Sequence, residues 1–224
     1  MENFNSGGSY DDLAQRLIPG YASLARLSVA LVAGFPSTEA SASPLLVVGC
    51  GTGAELSEAL AQRPDWRLTA VDPDANMLAA ARQRLGSKAE AITWVQGPVE
   101  SLPGEACFAG AIAVLVLQEL ADDGRKLAFL SALARLLQPG SPLVLVDLMG
   151  GGSELNSSVE SLFDSALRRF RQGGGAAGVG EPPAQLHPIG EARRLALMAA
   201  AGFSDPLRFF QALQVEGVVV QRRR

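Results

Sequence analysis

The stretch Leu45-Leu46-Val47-Val48-Gly49-Cys50-Gly51-Thr52-Gly53-Ala54-Glu55 decides how this chain folds. An unbroken apolar run ends in three glycines at alternate positions. Short runs of this kind suit a strand covered on both faces of a parallel sheet. Glycine permits the positive φ of the tight turn that follows, and its missing Cβ lets backbone approach a ligand closely. Residues 54–63 read as the helix that the turn opens. Asp72 lies 19 residues after Gly53, at the end of a second expected strand over 67–72. Neighbouring parallel strands bring both ends to one edge of the sheet, where open α/β folds bind ligands.

Outward from this unit the alternation repeats. A helix is expected over 74–86, with Met77, Leu78, Ala81 and Leu85 on one face, and a strand over 91–96 leading into Gly97-Pro98. An apolar run at 111–117 reads as a strand, 124–137 as a helix stopped by Pro139-Gly140, and 142–148 as another strand. Regular βα alternation predicts an α/β fold with helices on both faces of a parallel sheet. Before it, leucines at helical spacing from Tyr10 to Phe35 predict two helices broken at Pro19-Gly20, then a polar linker over 36–43. After it come a helix over 154–171, a Gly- and Pro-rich loop over 173–188 and a helix over 190–201. Two strand-like runs over 203–211 and 213–221 follow, spaced for an antiparallel pair. The chain reads as a single domain over 1–224. Residues 1–43 form a helical N-terminal lid, and 150–190 form a helical, glycine-rich insertion.

The glycines also satisfy the looser dinucleotide pattern, and a glycine loop can simply be a tight turn. Charge at the helix start separates the ligands. A dinucleotide sets its pyrophosphate against free N–H groups there, and Glu55 would repel it. The same carboxylate suits a ligand bearing an ammonium and a sulfonium and no phosphate, which describes S-adenosylmethionine. Asp72 would then accept the ribose hydroxyls.

Composition narrows the classes further. Hydrophobic residues make up 48% of the chain and charged residues 19%, as in folded globular proteins. A net charge of -4 argues against a general nucleic-acid binder; Arg222-Arg223-Arg224 is the one basic run and reads as a solvated tail. Cys50 and Cys107 lack metal-ligand or disulfide spacing, so a reducing cytoplasm is expected and no metal site. No apolar run is long enough to span a bilayer, and the opening residues lack a leader pattern.

Four segments, LLVVGCGTGAE at 45–55, AVDPDANML at 70–78, VQGPVESLP at 95–103 and LLQPGSPLVLVDL at 136–148, resemble the class I S-adenosylmethionine-dependent methyltransferases. The resemblance implies a Rossmann-like, seven-stranded, mostly parallel sheet with an antiparallel last strand. It also implies S-adenosyl-L-methionine as cofactor. Two further segments, RLIPGYASL at 16–24 and AGFSDPLRFFQALQVEGVVVQRR at 201–223, are similar to the carboxy-S-adenosylmethionine synthases and their methyltransferase-like relatives. That similarity places Tyr21 over the cofactor and Gly49, Cys50 and Gly51 along its methionine part; Gly53 completes the expected cofactor-binding loop. It places Asp72 and Pro73 at the ribose, Met77, Pro98 and Val99 at the adenine, and Val114 under the methionine. Met77 also reads as an ordinary core methionine.

Three positions depart from those families. Val48 stands where an acid usually precedes the first glycine, Pro98 where an aspartate usually meets the adenine amine, and Val114 where the synthase is polar. Each change removes a hydrogen bond, about 0.5–1.5 kcal/mol net. No arginine lies between Arg171 and Arg193 to pair a carboxylated cofactor. The leading expectation is therefore a methyltransferase acting on a small-molecule acceptor. A binding module without transfer activity, a synthase-like enzyme and a nicotinamide-dependent oxidoreductase are the alternatives. Methyl transfer needs chiefly in-line placement. Glu119, Asp147 and Tyr10 are the candidates for contact with the acceptor; Glu119 also reads as a solvated carboxylate at a helix start, and His187 as a loop or capping residue. A homodimer through the insertion's apolar helices is a further expectation.

Overall fold

The computed structural model describes residues 7–150, 157–173 and 186–224. Strands β1 (Pro44–Val48), β2 (Arg67–Asp72), β3 (Thr93–Gln96), β4 (Gly110–Val114) and β5 (Pro142–Leu148) are parallel. Strands β6 (Leu207–Ala212) and β7 (Val215–Gln221) form a hairpin. The sheet order is β3-β2-β1-β4-β5-β7-β6, with β7 antiparallel to both neighbours. The expected mostly parallel sheet with an antiparallel last strand is what forms. The chain starts in mid-sheet, winds outward through β2 and β3, then crosses to β4. The reversal between β1 and β4 opens a crevice at their C-terminal ends.

Alternation along β1 sorts the core into two layers. Leu46 and Val48 pack with Phe129, Leu130, Leu133 and Leu136 of helix α6 (Arg125–Leu136) and with Leu197 and Met198 of α8 (Glu191–Ala201). Leu45 and Val47 face the other way. They meet Val29 and Val32 of α2 (Tyr21–Ala33), Leu56 and Ala59 of α4 (Ala54–Gln62), and Leu78 and Leu85 of α5 (Ala75–Leu85). Helices on both faces explain why β1 and β4 read as unbroken apolar runs and why β5 is apolar up to Asp147. The edge strands β3 and β6 alone are largely exposed. Truncating a fully buried leucine such as Leu46 would cost about 2–5 kcal/mol.

Three sequence expectations shift. The polar stretch 36–43 is packed: Pro36–Glu39 makes a one-turn helix, α3, whose buried Thr38 donates from Oγ1 to Val32 O at 2.7 Å. Its carbonyl accepts from Trp66 Nε1 at 3.0 Å, so local hydrogen bonds replace the expected open linker. The strand expected over 111–117 ends at Val114, because Leu115 takes a left-handed φ of 61°. The strand expected over 203–211 starts at Leu207. Phe203 is instead fully buried and bridges to Arg222, and Pro206 has no N–H to offer a ladder.

Ahead of α3 lie α1 (Gly7–Leu17) and α2, with the break at Pro19-Gly20 as expected. Helix α7 (Ser157–Gly173) docks beside α1 through Arg171 Nε, which donates to Leu17 O at 3.2 Å. Most of the glycine-rich loop assigned over 173–188 lies outside the described residues, so its part in the expected lid is not described.

Candidate functional site

The glycine loop is laced to the strands it joins. Gly49 and Cys50 donate their N–H groups to Val71 O at 2.8 and 3.2 Å. Gly49 has φ 62°, and a Cβ there would overlap the Val116 side chain. Gly53, at φ 84°, caps α4 and lies against Ala81 of α5. Gly51 differs: at φ 49° it has only the Gly49 carbonyl oxygen near its missing Cβ, at 4.0 Å. Its side faces open space.

Asp72 ends β2 beside this loop. Its Oδ2 accepts from Gly51 N and its Oδ1 from Asp74 N, both at 2.9 Å. Each carboxylate oxygen keeps lone-pair capacity for a further donor. The aspartate thus fixes the loop and also turns a buried anionic face toward the crevice.

The crevice is a cavity of about 360 Å³. Gly49, Cys50, Gly51, Asp72, Pro73, Met77 and Val114 line it, with Tyr10 of α1 and Tyr21 of α2. Pro98 is exposed and Val99 is packed in the core. Neither lines the cavity, nor does Gly53, whose place is under the helix start. His187 is also outside the lining; its N–H donates to Gln118 O at 2.6 Å.

Burial sets the electrostatics. Glu55 is 9% exposed and lines the cavity without a hydrogen bond or ion pair to another side chain among the described residues. Desolvation pushes its carboxyl up to about 7. Burial also pushes the Cys50 thiol up to about 12, with Asp72 and Glu55 adding to it, which favours the protonated thiol over the thiolate. The Tyr10 hydroxyl is raised first by burial, then by the negative charges of Glu119, Glu55 and Asp72. Glu119, at the exposed rim, is raised by burial and by Asp72.

The turn that carries Glu119 has its own support. Leu115 at positive φ is uncommon for a residue with a side chain and costs about 1–2 kcal/mol. Its N–H donates to Val146 O at 2.6 Å. Asp147, 4% exposed, accepts from Gln118 N at 3.1 Å, and Lys126 Nζ donates to Leu117 O. Burial pushes the Asp147 carboxyl up to about 7. The structure therefore puts Asp147 behind the turn, holding Gln118, while Glu119 and Tyr10 face the cavity.

One cluster has no signal in the sequence. Asp11, on α1 and 8% exposed, accepts at Oδ1 from Thr52 Oγ1 of the glycine loop at 2.7 Å and from Tyr21 OH at 3.5 Å. It also pairs with Arg84 of α5, whose Nη1 donates to Thr52 Oγ1 at 3.2 Å. This network pins the first helix to the loop. Thr52 sits inside the quoted motif, but no spacing links it to Asp11 or Arg84. Among the described residues no cluster of His, Cys, Asp and Glu could hold a metal ion, and no helix is long and apolar enough to cross a membrane.

Comparison with known proteins agrees with this geometry. Residues 45–140 match the family model of a methyltransferase domain. A search of curated protein sequences gives no match. Among solved structures, the chain is similar to a Burkholderia thailandensis 1,6-didemethyltoxoflavin-N1-methyltransferase, solved with 1,6-didemethyltoxoflavin and S-adenosylhomocysteine. The TM-score is 0.59 at 20% identity, covering 90% of this chain and 80% of that one. A phosphoethanolamine N-methyltransferase from Haemonchus contortus gives a TM-score of 0.58 at 18% identity. That match covers 82% of this chain but only 38% of that one, so this chain spans well under half of that relative. A Haloferax volcanii methyltransferase solved with a methyltransferase activator gives 0.66 at 12% identity, covering 97% and 95%. These likenesses are likenesses of fold. The segment that matches the methyltransferase-domain model carries the glycine loop, Asp72 and Glu119.

Proposed function

We propose that this chain transfers a methyl group from S-adenosylmethionine to a small-molecule acceptor, with Tyr10 and Tyr21 closing the site from the N-terminal helices. The observation that carries the reading is Glu55, a buried carboxylate with no ionic partner among the described residues, turned into a cavity edged by Gly51 and Asp72. A cationic ligand would relieve its desolvation; a pyrophosphate would worsen it. The residues fit the cofactor. Gly51 leaves a cradle that any Cβ would fill, Asp72 has capacity for ribose hydroxyls, and Met77 and Val114 supply apolar surface. When bound, the cofactor supplies an electrophilic methyl on sulfur. The protein's part is to orient it, exclude water with the two tyrosines and aim the acceptor from the Glu119 side. No basic side chain lines the cavity among the described residues, which speaks against a carboxylated cofactor.

The test is calorimetry or thermal shift with S-adenosylmethionine, S-adenosylhomocysteine and NAD. The two adenosyl sulfur ligands should stabilise the protein and NAD should not. No response to either at millimolar concentration would overturn the reading. Binding without turnover over a broad acceptor panel would instead indicate a binding module. Asp72→Ala should abolish the stabilisation, because it removes the ribose acceptor and frees the Gly51 N–H together.

A further inference from the structure

Among the described residues, the charged ones lining the cavity are Glu55, Asp72, Asp74 and Glu119, and every one is acidic. They are not equivalent. Asp72 holds two backbone N–H groups, and Asp74 Oδ1 accepts from Asn76 N at 2.8 Å as the cap of α5. Glu55 and Glu119 have no hydrogen-bonded or ionic side-chain partner among the described residues. Glu55 is the buried one, at the start of α4 beside the glycine loop. Glu119 lines the same cavity from the turn after β4. Around it the lining is apolar: Val114, Leu115, Val116 and Leu120, with the Tyr10 ring from α1. The Tyr10 hydroxyl lies within the influence of Glu119, Glu55 and Asp72 together.

On the proposed cofactor reading, the site therefore has one carboxylate left for a second ligand, at the mouth of an apolar chamber without a lining cation among the described residues. We infer that the methyl acceptor is a small amine on an apolar body, its nitrogen held between Glu119 and the Tyr10 hydroxyl. An acceptor bearing a carboxylate or phosphate would meet only like charge, and exclusion of wrong partners by uncompensated like charge is how such sites select. An ammonium would meet a carboxylate acceptor and an aromatic ring, both favourable to cations.

The chemistry balances without another reactant. The ammonium first gives one proton to the Glu119 carboxylate, whose raised affinity for protons suits it to accept one. The freed nitrogen lone pair then forms the bond to the methyl carbon. The carbon–sulfur bond breaks, and its electron pair returns to sulfur, turning the sulfonium into a neutral thioether. The product amine carries the positive charge, and the Glu119 proton passes to solvent at the open rim.

The experiment uses the full chain saturated with S-adenosylhomocysteine, whose own binding is measured first and tests the cofactor reading separately. Calorimetry then compares matched trios on butyl, benzyl and phenylethyl bodies, each as amine, alcohol and carboxylate. In at least one trio the amine should bind ten times or more tighter than its alcohol and carboxylate. That preference should vanish in Glu119→Gln and persist in Glu119→Asp, while S-adenosylhomocysteine affinity stays unchanged in both. Isotope from the methyl group of S-adenosylmethionine should appear on nitrogen of the preferred amine. Carboxylates binding as well as amines, no trio member binding at all, or a preference that survives Glu119→Gln would each overturn the inference.

Discussion

Gly49→Ala tests the packing of the loop against the strand beside it. Two separate effects act. Alanine at φ 62° bears the left-handed penalty, about 1–2 kcal/mol. Its Cβ would also overlap Val116 Cγ2, and overpacking of this kind costs about 1–3 kcal/mol. Alanine stiffens the unfolded chain and returns about 0.4–1 kcal/mol. The net loss should be about 2–4 kcal/mol, or roughly 5–15 °C in Tm for a chain of this size. The Val116→Ala background separates the terms, because it removes the clashing methyl and leaves the φ penalty. Urea unfolding of wild type, both single variants and the double variant closes the cycle. The penalty of Gly49→Ala should fall by about 1–3 kcal/mol in the Val116→Ala background. A penalty that stays the same would show that Val116 is not the neighbour that demands glycine, and a loss below about 0.5 kcal/mol would refute the left-handed turn itself.

Other perturbations separate stability from ligand affinity. Gly51→Ala should lose only about 1–2 kcal/mol, since nothing crowds its Cβ, yet weaken S-adenosylhomocysteine at least tenfold by calorimetry; the opposite pattern would place Gly51 in the core. Glu55 titrates at about 7 when folded against 4.5 unfolded, so the native state holds its proton more tightly. Ligand-free stability should therefore fall as pH rises from about 4.5 to 7 and level off above, by on the order of 3 kcal/mol. The groups facing Glu55, namely Tyr10, Tyr21 and Cys50, stay protonated throughout, so Glu55→Gln should flatten that part of the curve. Asp147, also raised to about 7, acts in the same direction and should leave a residual slope. Asp11→Ala should cost about 1–3 kcal/mol and make α1 more open to proteolysis, because Thr52 and Arg84 lose their shared partner; unchanged cleavage would sink the pinning role. Glu216 is buried between Arg194 and Arg208 at 2.6 and 2.7 Å. Glu216→Gln should cost about 3–5 kcal/mol in urea unfolding, since it strands Arg194 without its countercharge.

Much of the fold was legible because its signals are local. The apolar runs at β1, β4 and β5 are buried on both faces, so each residue announces the same environment. Where one position served two masters the reading slipped. Leu115, Val116 and Leu117 are as apolar as β4, but they leave the sheet because the turn must present Glu119 and is held by Asp147 and Lys126 from other elements. Asp147 read as a group near the acceptor because it ends a strand. Only packing showed that its carboxylate turns inward, to Gln118. Pro98 and Val99 were named from resemblance; in this fold one is exposed and the other is in the core.

The sequence by itself determined the βα alternation, the glycine turn and the acid at the end of β2. Each rests on short-range rules: strand burial, positive φ and the adjacency of parallel neighbours. Only the tertiary structure decided which carboxylates are occupied and which are free, because that depends on groups far apart in the chain. Asp11 meets Thr52 across 41 positions, and Gly51 meets Asp72 across 21. The opening motif therefore marked one edge of the cavity and its buried Glu55, while Glu119, the apolar lining around it and the two tyrosines came from elements that the motif does not contain.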